Sequence, residues 1–132
     1  MSEPSFKMIP GAPRAFAPFS HAVETDGWLF LTGQMPCFPD DPDKPLPEGA
    51  AAQTRRVMDN LVIVLEGAGV DLAHVVQARV YLTHFERDYA AMNETYQSYF
   101  PPDRRPARTC IGVSGLALNA LVEIDMVARR AK

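Results

Sequence analysis

Two charged residues near the carboxyl end of the chain interrupt segments that otherwise hold small and apolar residues. Arg108 lies in the segment 106–114, and Glu123 lies in the segment 121–128. The planar guanidinium of an arginine can hold a carboxylate through two parallel hydrogen bonds, and a glutamate can orient or deprotonate a water molecule. Spacing alone favours a simpler interpretation, in which both are surface or inter-subunit ion-pair residues.

The distance between these two side chains depends on how their segments pair. We predict that the two segments form a hairpin centred near Ala117, which sets Glu123 opposite Ile111. Arg108 then lies three residues further along its strand, about 10 Å away at roughly 3.3 Å per residue. The two side chains would therefore not form a direct ion pair within the hairpin. A small substrate with a water molecule, or another subunit, could occupy the space between them.

Neither a metal site nor a cysteine nucleophile is predicted. His21, His74 and His84 show no i, i+4 pair and no Cys/His metal-ligand spacing, so each is expected to face solvent or to cap a helix. Cys110 lies in the same predicted strand as Arg108, and no neighbouring residue marks a partner base. A buried and inert thiol is therefore favoured.

The composition is that of a small and weakly acidic globular protein. The 132 residues include 13 Lys and Arg against 16 Asp and Glu, a net charge of −3, which lacks the basic footprint of a general nucleic-acid binder. We expect one domain over 1–132, in which 1–17 form an extended N-terminal arm. With no apolar run of transmembrane length and no signal peptide recognised, we expect a cytoplasmic protein with reduced Cys37 and Cys110.

Seven elements in the order β-β-α-β-α-β-β are predicted to position the charged residues. They are two strands within 20–32, a helix over 50–68, a strand over 74–83, a helix over 86–100, and strands over 106–114 and 121–128. The turn of the first strand pair is Asp26-Gly27, a strong hairpin signal. Two helices would cover one sheet face. The other face carries Tyr81, Leu121 and Val127, a mixture that is typical of a surface covered by another subunit, so we predict an oligomer.

Several short segments, in order along 17–128, match the pattern of a known family. The most specific are Pro-Ala-Arg-Thr-Cys at 106–110 and Leu-Val-Glu-Ile at 121–124. The others lie at 18–23, 31–36, 53–54, 60–61, 69–72, 80–83 and 92–96. As an ordered set, these segments resemble the Rid (YjgF) family of enamine/imine deaminases.

The resemblance implies a chorismate-mutase-like α+β fold and a homotrimer with sites in the clefts between subunits. It implies hydrolysis of 2-aminoacrylate-type enamines and their imine tautomers to 2-keto acids and ammonia, with no metal and no organic cofactor. By the same resemblance, Arg108 binds the substrate carboxylate and Glu123 positions the attacking water. The main chain at Cys110 contacts the substrate nitrogen, and Thr32 and Gly33 line the cleft.

Two positions depart from the family pattern. Phe19 stands where many of these deaminases carry tyrosine, so an aromatic ring remains in the substrate-binding position but one polar contact is absent. Thr32 stands where serine is frequent, which is a milder change. Both changes bear on substrate range and rate more than on the existence of the site, because Arg108 is retained.

Three other functions stay open. One is a specialised catabolic enamine deaminase of the aminoacrylate or aminomuconate type. In a survey of substrates, such a specialist would strongly prefer the larger acid over small imino acids. A ribonuclease or translation-inhibitor activity is associated with some relatives. The net charge of −3 and the lack of a basic stripe argue against this activity here. A non-catalytic binder of small carboxylates, or a chaperone-like partner, would bind a keto acid and release no ammonia.

Overall fold

Within residues 3–131, which the computed structural model describes, six strands form one sheet and two α-helices pack on it. The strands are β1 (Ser5–Lys7), β2 (Ala22–Thr25), β3 (Trp28–Gln34), β4 (Val75–Leu82), β5 (Ala107–Gly112) and β6 (Val122–Arg129). The helices are α1 (Ala50–Gly67) and α2 (Phe85–Gln97), with short 3-10 helices at Leu72–His74 and Ala117–Asn119. The strand order is β1-β2-β3-β6-β4-β5, with β4 and β5 parallel and the other pairs antiparallel. The predicted α+β class, with two helices on a mixed sheet, is confirmed.

Helix α1 buries an apolar stripe against the sheet, as its spacing predicts. The fully buried side chains of the stripe are Val57, Leu61, Val64 and Leu65. Each contributes about 1.5–3 kcal/mol relative to exposure. The helix ends before Gly69, whose φ of +84° lies in the left-handed region that glycine adopts without steric penalty. No helix within residues 3–131 is both long and apolar enough to cross a membrane.

The turn between β2 and β3 follows directly from its two residues. Asp26 and Gly27 have φ of 51° and 83°, and Thr25 pairs with Trp28 across the turn. Two successive positive φ values give the tight turn whose twist matches that of antiparallel strands. The predicted hairpin within 20–32 is therefore confirmed.

The predicted hairpin between 106–114 and 121–128 is wrong, because β4 lies between β5 and β6. Helix α2 connects β4 to β5, and a strand–helix–strand crossover places its two strands parallel and side by side. Strand β6 then pairs with the other side of β4. Tyr81 pairs with Ile111 on one side and with Glu123 on the other. Glu123 and Ile111 thus lie at the same level, as expected, but with a whole strand between them.

Part of the N-terminal arm pairs with the sheet. The structure describes the predicted arm 1–17 from residue 3 onward, and Met1, Ser2 and Lys132 lie outside the described residues. Strand β1, which no sequence signal predicted, pairs antiparallel with β2. This strand has only three residues and lies between prolines. It is therefore too short to show a recognisable alternation of apolar and polar residues.

His21 fastens the arm to the sheet, which corrects its expected solvent-facing or capping role. Its side chain is 3% exposed. The Nδ1 atom accepts a hydrogen bond from the Ile9 amide at 2.8 Å, and Nε2 lies 2.8 Å from the Pro13 carbonyl oxygen, to which a neutral ring protonated at Nε2 donates. His74 has the expected capping role in the 3-10 helix that Asp71 begins.

Candidate functional site

Arg108 lies on the edge strand β5 and reaches across to helix α2. Its Nη1 donates to Asn93 Oδ1 at 2.6 Å and to Met92 Sδ at 3.8 Å. Its guanidinium carbon lies 5.1 Å from the Tyr96 ring centre and 6.0 Å from that of Tyr89. Of the five ion pairs formed among residues 3–131, none includes Arg108. Most of its five N–H donors are therefore available to a ligand.

A cavity of about 300 Å³ opens beside this guanidinium. Its lining residues are Asn93, Tyr96, Gln97, Arg105, Pro106 and Arg108. The Tyr96 hydroxyl is buried and has no hydrogen-bond partner among the described residues. Sequence analysis assigned no role to Asn93 or Gln97. Their i, i+4 spacing on α2, continuing from Tyr89, is the signal that could have placed all three on one helix face.

Glu123 fits beside the backbone of β3 because residue 33 is glycine. A Cβ atom at Gly33 would collide with the Glu123 carboxylate. The pairing of β3 with β6 shifts between Leu31 and Gln34. An isolated glycine within a strand pattern is typical of such irregularities and of close approaches. Gly33 therefore permits the position of Glu123, a relation that the sequence did not reveal.

The electrostatic surroundings of Glu123 make its carboxyl group harder to ionise than that of an exposed glutamate. Burial, followed by the nearby charge of Asp125, raises the pKa of Glu123 above its usual value. Asp125 itself accepts two hydrogen bonds from Arg79, at 2.9 and 3.0 Å, and one from the Tyr81 hydroxyl at 3.0 Å. These contacts hold the second carboxylate on the same face of β6, two residues from Glu123.

Replacing Asp125 with asparagine is expected to lower the pKa of Glu123. The change removes a like charge, and it leaves the Arg79 guanidinium without its carboxylate partner, so both effects stabilise the Glu123 carboxylate. Carbon-detected NMR titration of the glutamate side chains measures the shift directly. Asp59→Asn is the matched control, since Asp59 accepts from Tyr99 on the helical side. An unchanged or higher Glu123 pKa in Asp125→Asn would contradict this electrostatic coupling.

Arg108 and Glu123 lie on opposite faces of the sheet within one chain. Arg108 contacts α2, whereas Glu123 alternates along β6 with the buried residues Val122 and Ile124 and so lies on the face away from the helices. Their strands are separated by β4, and Arg108 lies level with Ala78 whereas Glu123 lies level with Tyr81. The two residues are therefore two strand spacings apart across the sheet and three residues apart along it, about 14 Å in all. A direct ion pair is absent as predicted, but the reason is the sheet topology and not a hairpin register.

The other predicted site residues lie either near Arg108 or near Glu123. Cys110 lies half-buried near Arg108. Burial raises the pKa of its thiol, which opposes a nucleophilic role. Thr32 and Gly33 lie near Glu123, and the Thr32 amide donates to the His21 carbonyl at 3.0 Å.

Phe19 lies two residues before His21, whose carbonyl accepts from the Thr32 amide. Its half-buried ring meets Phe16 edge to face, with ring centres 5.8 Å apart. Thr32, Gly33 and Glu123 belong to one part of the chain's surface, and Arg108 and Cys110 belong to another. No group of three metal-ligating side chains occurs within residues 3–131.

Comparison with known proteins gives one consistent assignment. A family model described as Endoribonuclease L-PSP matches residues 10–130. A RutC family protein of Aquifex aeolicus is 38% identical over 120 residues, which cover 90% of this chain and 94% of that protein. The chloroplastic Reactive Intermediate Deaminase A of Arabidopsis thaliana is 34% identical over 117 residues, which cover 89% of this chain and 61% of that protein.

Solved structures agree in fold over nearly the whole chain. YyfA of Yersinia pestis, described as a protein of the conserved Rid family, superposes with a TM-score of 0.88 at 33% identity, covering 96% of this chain and 99% of that one. E. coli TdcF with bound serine superposes with a TM-score of 0.85 at 27% identity, covering 95% and 99%. The chain, with its Pro-Ala-Arg segment on β5 and its Val-Glu-Ile segment on β6, belongs to the Rid/YjgF family.

Proposed function

We propose that this protein hydrolyses 2-imino acids and their enamine tautomers to 2-keto acids and ammonia. The observation that carries the proposal is the half-buried Arg108, which has no carboxylate partner among residues 3–131 and faces a cavity. An arginine in this state suits the carboxylate of a small acid. The name of the Arabidopsis relative and the serine bound to TdcF, itself a small amino acid, support the same substrate chemistry.

The reaction needs only modest acid–base catalysis from the protein. The imine carbon is already electrophilic, so water adds to it, the C–N bond then breaks, and the keto acid and ammonia leave with no net oxidation or reduction. Arg108 would hold the carboxylate in place, and Glu123 would accept a hydrogen bond from the attacking water, take up its proton and return it to the nitrogen that leaves as ammonia. Because this role needs the Glu123 carboxylate, activity should fall as the pH drops through the raised pKa of Glu123.

The site we propose is shared between copies of the chain. One chain presents Arg108 and Glu123 on opposite sheet faces, so a second copy must bring its own Glu123 to the Arg108 of the first. The face away from the helices exposes Trp28, Phe30 and Ile111 at 41%, 48% and 46%. Large apolar side chains at such exposure are suited to burial in an interface. A closed ring of three copies is the arrangement that we expect from the family resemblance.

An RNA-cleaving activity, which the description of the matching family model names, is less well supported. The net charge of −3 gives the chain no general attraction for a polyanion. Arg105 and Arg108 line a cavity of about 300 Å³, which suits a small acid better than an extended strand.

The proposed activity is tested by measuring ammonia and keto acid released from imines made in place. An amino-acid oxidase generates the imine while catalase removes peroxide, and release with the protein is compared with spontaneous hydrolysis. We expect faster release in proportion to the protein added. Absence of acceleration across several amino-acid-derived imines would contradict the proposal. Binding of a keto acid without ammonia release would favour the non-catalytic binder, and strong preference for one larger enamine acid would favour a catabolic specialist.

A further inference from the structure

The cavity beside Arg108 contains a second arginine that the proposed reaction does not use. Arg105 lines the same cavity, three residues before Arg108. The five ion pairs among residues 3–131 do not include Arg105 either. No carboxylate lines the cavity. Two like charges thus share one small space, and neither forms an ion pair within residues 3–131, although Asp103 lines a neighbouring cavity together with Arg105. An anionic ligand would stabilise this arrangement.

The remaining polar groups of the cavity are suited to donate hydrogen bonds. Asn93 uses its amide oxygen to accept from Arg108, which leaves its NH₂ group free to donate to a ligand. Gln97 supplies a further side-chain amide at the wall. The cavity therefore offers more donors than one carboxylate can satisfy.

The two arginines are close enough to hold the two ends of a small diacid. Their Cα atoms are three residues apart, so they are separated by at most about 10 Å, and both long side chains line the same cavity. The carboxyl carbons of a four- or five-carbon diacid are about 4–5 Å apart, at roughly 1.5 Å per bond. A volume of about 300 Å³ accommodates such a molecule.

We propose that this cavity binds the second acidic group of the substrate through Arg105, so that dicarboxylic 2-imino acids are preferred over those with apolar side chains. This inference rests on the proposed function for the reaction, and it adds the substrate class. Arg108 holds the carboxylate next to the imine carbon, and Arg105, with the Gln97 amide, receives the distal carboxylate. An apolar side chain in the same place would leave these groups without partners.

The test compares two imines in wild type, Arg105→Ala and Arg104→Ala. Aspartate-derived imine, made by an aspartate oxidase, carries two carboxylates, and leucine-derived imine, made by an amino-acid oxidase, carries one. Each variant is compared with wild type on the same oxidase, so that differences between the oxidases cancel. Arg104 is the matched control, because it is an adjacent exposed arginine that lines other cavities but not this one.

We expect Arg105→Ala to lower the kcat/KM ratio of the aspartate imine to the leucine imine by about tenfold to about a hundredfold, the value of one charge-assisted contact. Arg104→Ala should leave that ratio unchanged. A wild-type ratio that does not favour the aspartate imine, or an equal ratio in wild type and Arg105→Ala, overturns the substrate class while leaving the deaminase proposal intact.

If neither imine is hydrolysed by wild type, the proposed function fails and binding alone decides the inference. Calorimetric titration with 2-oxoglutarate and with 4-methyl-2-oxopentanoate then compares a dicarboxylic with a monocarboxylic keto acid. Tighter binding of 2-oxoglutarate that is lost in Arg105→Ala and kept in Arg104→Ala supports the second anion site. Equal affinities for the two acids in wild type overturn it.

Discussion

Replacing Arg108 with alanine is expected to lower kcat/KM for imine hydrolysis by about a hundredfold or more in a protein that still folds. The variant loses both hydrogen bonds to the substrate carboxylate, and each charge-assisted bond contributes about 1.5–3 kcal/mol. The fold should persist because Arg108 lies half-buried at the sheet edge and its one side-chain oxygen partner, Asn93, is also only partly buried. The oxidase-coupled release of ammonia and keto acid measures the loss.

Two further variants separate this role from a structural one. Arg108→Lys keeps the positive charge but not the planar fork, so we expect a raised KM and activity between those of wild type and Arg108→Ala. Arg87→Ala removes an exposed arginine of α2 that pairs with Asp88, and it should retain wild-type kinetics. Circular dichroism and thermal unfolding report folding in each case. Wild-type turnover by a folded Arg108→Ala protein would refute the carboxylate-binding role.

Elements whose signals are local could be predicted from the sequence, and their pairing could not. The apolar stripe of α1 and the Asp26-Gly27 turn each depend on a few neighbouring residues, and both are confirmed. The alternation in β5 and β6 is equally clear, but it has the same appearance whichever strand lies alongside. The α2 crossover places β5 beside β4, and β6 pairs with the other side of β4. The nearness of β5 and β6 in sequence predicts a hairpin, but β4 lies between them in the sheet.

The same is true of the candidate site: its charged residues could be predicted from the sequence, but their relative positions could not. Arg108 and Glu123 could be singled out because each is a charge in a strand of small or apolar residues. Their faces could not be assigned, since both faces of β5 carry small residues and hydrophobicity does not decide between them. Contact with Met92 and Tyr96 on α2 settles the matter for Arg108. The role of Gly33 depends on the neighbouring strand, and no single-residue property of glycine reveals it.

Mixing the Arg108→Ala and Glu123→Gln variants is expected to restore activity that neither variant has alone. If each site takes Arg108 from one copy and Glu123 from another, a mixed oligomer contains sites in which both residues are intact. With random assembly of equal amounts, the arginine-donating copy has Arg108 half of the time and the glutamate-donating copy has Glu123 half of the time. About a quarter of the sites should therefore be intact. Co-expression with two separable affinity tags provides the mixed species, and the oxidase-coupled assay measures its turnover.

The two substitutions suit this experiment because they lie on opposite faces of the sheet and neither enlarges a side chain. Glutamine has the shape of glutamate, so Glu123→Gln still fits beside Gly33, while it loses the carboxylate that would take up the proton. Each singly tagged variant, purified alone, is the control. If Arg108 and Glu123 of the same chain formed the site, every chain in the mixture would lack one of them. Activity no greater than the sum of the two variants would then show that no site is shared, and the exposed face of Trp28, Phe30 and Ile111 would need another explanation.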